Sequence, residues 1–250
     1  MSHAQPLLGR TALVTGAARR IGAEIVMTLA RAGADVAIHV RSSARDGVRL
    51  ARRVQRLGRR AVVIEADLAD AGACRELFSA AVAAMRRVDV LVNNAAIFEP
   101  TDPLAADDDA WDRHLAVNAR AVYVLTSLAA RDWARRKAEG VVVNLACSSA
   151  AAPFAGFLPY SASKAAVVNL TKGFAKALAP RVRVNAIAPG PILPATGASA
   201  SRNRAALAAT VLGRWGRPAD VAKAVRFLVV DAPYTTGAVI PVDGGRHLRG

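Results

Sequence analysis

Thr11-Ala12-Leu13-Val14-Thr15-Gly16-Ala17-Ala18-Arg19-Arg20-Ile21-Gly22 reads as a short strand, a turn and the start of a helix. Thr11–Val14 lacks polar alternation, as expected of a strand buried on both faces. Gly16 at the strand end permits a tight turn, and Gly22, six positions on, lets the next helix start close to the sheet. A helix N-terminus there would offer free N–H groups and a positive dipole end to a pyrophosphate. Two glycines at this spacing also fit a plain structural turn. The strand before and the helix after, at the first crossover, are what point to a dinucleotide.

Outward from this turn the same alternation repeats. Strands are predicted at Thr11–Val14, Val36–Val40, Ala61–Glu65, Val88–Val92, Gly140–Leu145, Val182–Ile187 and Ala238–Val242. Helical periods lie between them, at Ile21–Ala32, Ala44–Leu57, Cys74–Arg86, Asp109–Arg136, Ser161–Leu178 and Ala219–Val230. Asp108 and Pro218 are candidate helix starts, and Gly33 and Gly58 candidate stops. The alternation predicts an α/β fold: a single Rossmann-type, doubly wound parallel sheet of about seven strands flanked by helices, occupying residues 1–250 as one domain. The segment 190–217, rich in Pro, Gly, Ala and Ser, is the one long insertion and is expected to be a substrate-binding loop.

The bulk composition agrees with one folded domain. The 250 residues are 53% hydrophobic and 21% charged, which excludes a disordered chain. Two cysteines, Cys74 and Cys147, cannot build a disulfide framework, and four scattered histidines show no metal-binding spacing, so no metal is expected. The first ten residues contain no apolar signal segment, and the apolar run from Val141 to Pro159 is broken by Asn144, Ser148, Ser149 and Pro153. No membrane association and a cytoplasmic location are therefore expected. The net charge of +15 raises nucleic acid as a partner. No helix-turn-helix, zinc-finger or RNA-recognition pattern supports it, and 29 arginines against five lysines are spread over helices.

The second strand ends at Arg41, followed by Ser42 and Ser43. An acid at this point would hydrogen-bond a ribose 2′-hydroxyl, whereas a guanidinium beside hydroxyls suits a 2′-phosphate. With Arg19 and Arg20, this predicts NADPH (NADP+) as cofactor; the alternative for Arg41 is a solvated surface arginine. Asp67-Leu68 and Asn93-Asn94-Ala95-Ala96 also close strands on the ligand side. Tyr160 and Lys164, four apart at the start of a helix, share a face. A free phenol has a pKa near ~10, and a nearby ammonium would lower it, making a general acid/base for carbonyl or imine reduction.

Taken together, TGAARRIG, NNAA, YSASK, Pro189-Gly190, GRWGRP at 213–218 and PVDGG at 241–245 resemble the short-chain dehydrogenase/reductases over essentially the whole chain. The resemblance implies Tyr160 as proton donor, Lys164 as its partner and ribose ligand, and Asn118 as support for a water relay. It implies cofactor contacts from Gly16, Asn94, Ala95, Pro189, Gly190 and Ile192, with Asp67 and Leu68 at the adenine edge; Ile21, Gly22 and Ala96 belong to the same turns. It also implies a homodimer or homotetramer, paired through the helices at about 109–136 and 161–178.

One position departs from the family. A serine is usual thirteen residues before the tyrosine, and here it is Cys147, followed by Ser148. Cys147 as a weaker donor, Ser148 as replacement, and loss of activity all remain open. Arg20 and Phe98 resemble the pteridine reductase-like subgroup, in which such a phenylalanine stacks on the pterin. That subgroup often carries an aspartate where this chain has Cys147. The function implied is an NADPH-dependent reductase of a small carbonyl or pterin-like substrate. The alternatives are a 3-oxoacyl thioester reductase and a non-catalytic dinucleotide sensor.

Overall fold

The computed structural model describes residues 5–194 and 199–249. Seven strands form one parallel sheet in the order β3-β2-β1-β4-β5-β6-β7: β1 Thr11–Val14, β2 Asp35–Val40, β3 Ala61–Glu65, β4 Val90–Asn93, β5 Gly140–Leu145, β6 Val182–Pro189 and β7 Val239–Val242. β1 and β4 are hydrogen-bonded neighbours with Val14 opposite Val92. The strand order reverses there, so the crossovers leave in opposite directions and open a crevice at the strand ends.

The strands read as apolar runs because helices cover both faces. On one face α1 (Arg20–Arg31), α2 (Ala44–Gln55) and α8 (Pro218–Arg226) bury Ile25, Leu29, Leu50, Val54 and Val225 against Val36 and Ile38. On the other, α3 (Ala71–Met85), α5 (Ala121–Arg135) and α6 (Leu158–Leu178) bury Leu77, Leu125, Trp133 and Ala175 against Leu13, Leu91 and Val142. Asn93, Asn144 and Thr171 form a buried ladder across β4, β5 and α6, with bonds of 2.8 and 2.9 Å, so the polar residues inside these strands are paired rather than exposed.

Several boundaries differ from the sequence reading. Val88 precedes β4, its carbonyl accepting the Trp133 indole N–H at 2.7 Å. Asp70 caps α3, which begins before Cys74, by accepting the Gly72 N–H. Within the acidic run 107–109 the cap of α4 (Asp108–Leu115) is Asp107, whose extended backbone lets its carboxylate accept the Ala110 N–H at 2.8 Å. The helix predicted over 109–136 is α4, a π-turn at Ala116–Arg120 and then α5. The segment 190–217 contains α7 (Ala200–Ala208), capped by Ser199. Its Ala-rich run favours helix but buries no residue, so it leaves no apolar period to read. Residues 195–198 of that segment lie outside the described residues.

Candidate active site

The crevice begins at the β1–α1 turn. Gly16 has φ +58°, and a Cβ there would stand 2.8 Å from Ala95 Cα; a Cβ on Gly22 would stand 2.5 Å from the Gly16 carbonyl. The turn is stitched to β4. Asn94 Nδ2 donates to the carbonyls of Thr15 and Gly16 at 2.8 and 3.0 Å, and the N–H groups of Asn94 and Ala95 donate to Thr15 Oγ1. His39, on β2, clamps it from the other side: the Gly16 N–H donates to Nδ1, and Nε2 donates to the Ala66 carbonyl, both at 3.0 Å. One neutral tautomer satisfies both bonds, and burial holds the imidazole pKa below its ordinary value. Sequence reasoning did not select His39; its signal was a polar residue inside an apolar strand.

One end of the crevice, about 500 Å³, is lined by the turn and by Arg19, Arg41, Ser42, Asp67, Leu68 and Ala95, among others. Arg41 is exposed and has no ion-pair partner among the described residues. The other two arginines of the expected trio are already engaged. Arg19 pairs with Asp46 of α2, and Arg20, itself at φ +53°, donates to the Pro194 carbonyl at 2.9 Å.

The other end is a cleft of about 850 Å³ lined by Tyr160, Lys164, Cys147, Ser148, Pro189, Gly190 and Ile192. Arg20, Ile21, Asn94, Ala96 and Phe98 line both parts, so they form one groove, along which the structure places all the residues assigned from sequence to the cofactor. Lys164 is buried, its Nζ 2.7 Å from the Leu145 carbonyl and 5.8 Å from the centre of the Tyr160 ring. Burial pushes its pKa down to about 8. Burial, followed by the neighbouring Cys147 thiol, raises the Tyr160 phenol well above its ordinary value. The expected lowering of the phenol by the ammonium is therefore not what this geometry gives. Burial keeps Tyr160 protonated, the form that donates a proton.

Asn118 lines neither part of the groove. It is buried in the π-turn, where its Oδ1 accepts the Ile97 N–H and its Nδ2 donates to the Ile97 carbonyl and Ser163 Oγ; Ser163 Oγ in turn donates to the Tyr160 carbonyl at 2.6 Å. Its side chain thus braces the loop after β4 against α6. π-turns inside helices often mark functional positions.

The hydroxyls of Ser148 and Ser149 are buried with no partner among the described residues, and Ser148 lines the cleft beside half-buried Cys147. Phe98 is 41% exposed, which places it on the groove wall rather than in the core. It stacks on Phe157 at 4.3 Å and 6°, and meets the Tyr160 ring edge-on at 4.7 Å. Phe157, Phe154 and Arg202 also line the cleft and were not selected from sequence. The two phenylalanines sit between β5 and the tyrosine motif, where their aromatic character was the available signal; Arg202 had none.

No group of three or more His, Cys, Asp or Glu suited to a metal occurs among the described residues, and no helix there is long and apolar enough to cross a membrane.

Residues 16–247 match the protein family described as enoyl-(acyl carrier protein) reductase. A 3-oxoacyl-[acyl-carrier-protein] reductase of Synechocystis sp. is 34% identical over 96% of this chain and 97% of its own length. A short chain dehydrogenase of Burkholderia cenocepacia, solved in complex with NADP, superposes with a TM-score of 0.90 at 38% identity, covering 96% of this chain and 99% of that one. The FolM alternative dihydrofolate reductase 1 of Brucella canis, also solved with NADP, gives 0.91 at 36% identity over 98% and 97% of the two chains. The chain belongs to the short-chain dehydrogenase/reductase family of oxidoreductases.

Proposed function

We propose that this oxidoreductase reduces the carbonyl group of a small organic substrate, using NADPH and taking the proton from Tyr160. The observation that carries this reading is a single groove joining Arg41 at one end to Tyr160 and Lys164 at the other. The groove fits the dinucleotide by the chemistry of its donors. Arg41, Ser42 and Ser43 supply a guanidinium and two hydroxyls for a 2′-phosphate, with no acid among them. The positive end of α1 faces the turn between Gly16 and Gly22, where the pyrophosphate would lie. Lys164, Pro189, Gly190 and Ile192 would hold the nicotinamide half. When bound, the nicotinamide supplies the hydride.

Tyr160 supplies the proton to the carbonyl oxygen as its bond to carbon becomes single. Burial keeps the phenol protonated until that oxygen gains charge. The Lys164 ammonium, held by the Leu145 carbonyl, stabilises the phenolate left behind. Cys147, half-buried on the cleft wall where the family usually has a serine, meets the substrate oxygen as a weaker thiol donor, and the enclosed Ser148 hydroxyl would reach that oxygen only by rotating. Asn118 fixes the loop that carries Phe98.

A carbonyl is favoured over a pterin. One face of Phe98 is covered by Phe157, and no acid lines the cleft to meet an amino-pyrimidine edge. A 3-oxoacyl thioester is the second reading, favoured by the cleft volume and by relatives that carry that name. A homodimer or homotetramer would form through α5 and α6, where Tyr123 remains 53% exposed beside Phe174. With both cysteines unpaired, a cytoplasmic location fits.

The test is NADPH oxidation against a panel of diketone, quinone, dihydropterin and 3-oxoacyl substrates. Turnover of carbonyl compounds abolished by Tyr160→Phe is expected. No turnover of any substrate, with Tyr160→Phe indistinguishable from wild type, would leave a non-catalytic dinucleotide-binding protein.

A further inference from the structure

Building on the carbonyl-reductase reading, we propose that the substrate carries an anionic tail, a carboxylate or phosphate, held by Arg202 of α7 and Arg246 near the C-terminal end. Six basic residues line the wider cleft, Arg20, Lys164, Arg202, Arg246, His247 and Arg249, and no Asp or Glu lines it. Four of the six have other engagements. Arg20 donates to the Pro194 carbonyl, Lys164 to the Leu145 carbonyl, and Arg249 to the Ala208 carbonyl at 2.6 Å; His247 is 2.8 Å from the Asp243 carboxylate. Arg202 has no side-chain hydrogen bond or ion pair among the described residues, and Arg246 makes only a 3.4 Å contact to the Ala206 carbonyl.

Both guanidiniums are instead seated against aromatic rings. Arg202 lies 4.4 Å from the centre of Phe157 and 5.8 Å from that of Phe98, and Arg246 lies 4.6 Å from Phe154. Aromatic contact holds a guanidinium in place and removes part of its water while leaving N–H donors free, which suits capture of a carboxylate or phosphate. Some arginines elsewhere pair with acids, as in Arg60 with Asp35, Arg87 with Asp89 and Arg136 with Asp132, and others are solvated on outer helix faces. Two guanidiniums seated on rings inside a cleft lined by no acid are a different arrangement.

These charges are separate from the cofactor's 2′-phosphate site, because Phe154 and Phe157 do not line the Arg41 end. The reach is short. The Phe98 ring is 4.7 Å from the Tyr160 ring and 5.8 Å from the Arg202 guanidinium, so that guanidinium lies no more than about 10 Å from the centre of the Tyr160 ring. One ring and a short linker span that distance.

The test compares 4-oxo-4-phenylbutanoate with its methyl ester, and adds 2-oxo-2-phenylethyl phosphate as the second anion, in wild type and in Arg202→Gln/Arg246→Gln. In wild type at least one anion is expected to exceed the ester in kcat/KM by tenfold or more. In the double variant that ratio should fall by about tenfold to hundredfold, the range for charge-assisted hydrogen bonds. Which anion is preferred identifies the tail. Calorimetric titration of each anion onto NADP+-loaded protein gives a readout independent of turnover, and thermal unfolding reports that the variant folds. Equal turnover of ester and anions in wild type, or a ratio the double variant leaves unchanged, overturns the proposal while the reductase reading stands. If no oxo probe, charged or neutral, oxidises NADPH, the reductase reading is decided separately by the carbonyl panel above. Calorimetry then decides the anion site: binding lost in the variant upholds it, and no binding by wild type overturns it.

Discussion

Lys164→Met should make the protein more stable at neutral pH while disabling it as a catalyst. Lys164 is 3% exposed, and burial lowers its pKa from 10.5 to about 8. At about 1.4 kcal/mol per pH unit, keeping the ammonium charged at pH 7 costs the fold about 3 kcal/mol. Methionine removes that charge and keeps most of the volume. It also loses the 2.7 Å bond to the Leu145 carbonyl, worth about 1 kcal/mol. The net gain is about 2 kcal/mol at pH 7, or about 4–8 °C in Tm for a chain of this size. The folded pKa lies below the unfolded one, so between about pH 8 and 10.5 the unfolded state binds more protons. Wild-type stability therefore rises with pH through that window, and the variant lacks this rise. Its advantage should shrink above pH 8 and vanish before pH 10.5. Thermal unfolding of both proteins without cofactor, followed by circular dichroism from pH 6.5 to 10, measures this. A stability difference independent of pH, or a variant less stable at pH 7 that gains as pH rises, would refute the reasoning.

Arg41→Ala should weaken NADPH binding by about tenfold to hundredfold and NADH binding by less than threefold, read by fluorescence titration; equal weakening would contradict a 2′-phosphate role. Cys147→Ser should retain or raise kcat, since it adds a stronger donor beside Ser148; complete loss would instead indicate a thiol-specific function. Gly16→Ala should cost about 1–3 kcal/mol in denaturant unfolding and weaken NADPH at least tenfold. It places a Cβ 2.8 Å from Ala95 Cα on a backbone at φ +58°. A variant of wild-type stability and affinity would show that this turn yields more readily than its packing implies.

What sequence alone revealed followed from how strongly each feature is written in local chemistry. The parallel sheet was legible because strands buried on both faces are nearly continuous apolar runs, as in Ala12–Val14 of β1 and Val141–Val143 of β5. The groove residues were legible because strand ends and glycines are fixed by topology. α7 was not, because an exposed Ala-rich helix buries nothing and shows no apolar period. The π-turn at Asn118 reads as plain helix, since the residue types at 116–120 do not distinguish a widened turn from an α-helical one. The direction of the Tyr160 shift is not written in the sequence for a different reason. The Tyr–Lys spacing specifies a shared face, but the direction of the phenol's shift depends on burial and on the Cys147 neighbour, which only the folded chain sets. Arg19 and Arg20 lie in the turn by sequence, yet their engagement by Asp46 and the Pro194 carbonyl needed partners 27 and 174 residues away.

The central claim is that one groove joins an NADPH site to a proton-donating Tyr160. Its most direct test is Tyr160→Phe, with NADPH affinity by fluorescence titration and carbonyl reduction by NADPH oxidation measured on the same preparation. A fall in kcat of about a hundredfold to ten-thousandfold, with NADPH Kd within about twofold of wild type, is the predicted result. Undiminished turnover, or loss of NADPH binding in step with turnover, would contradict it.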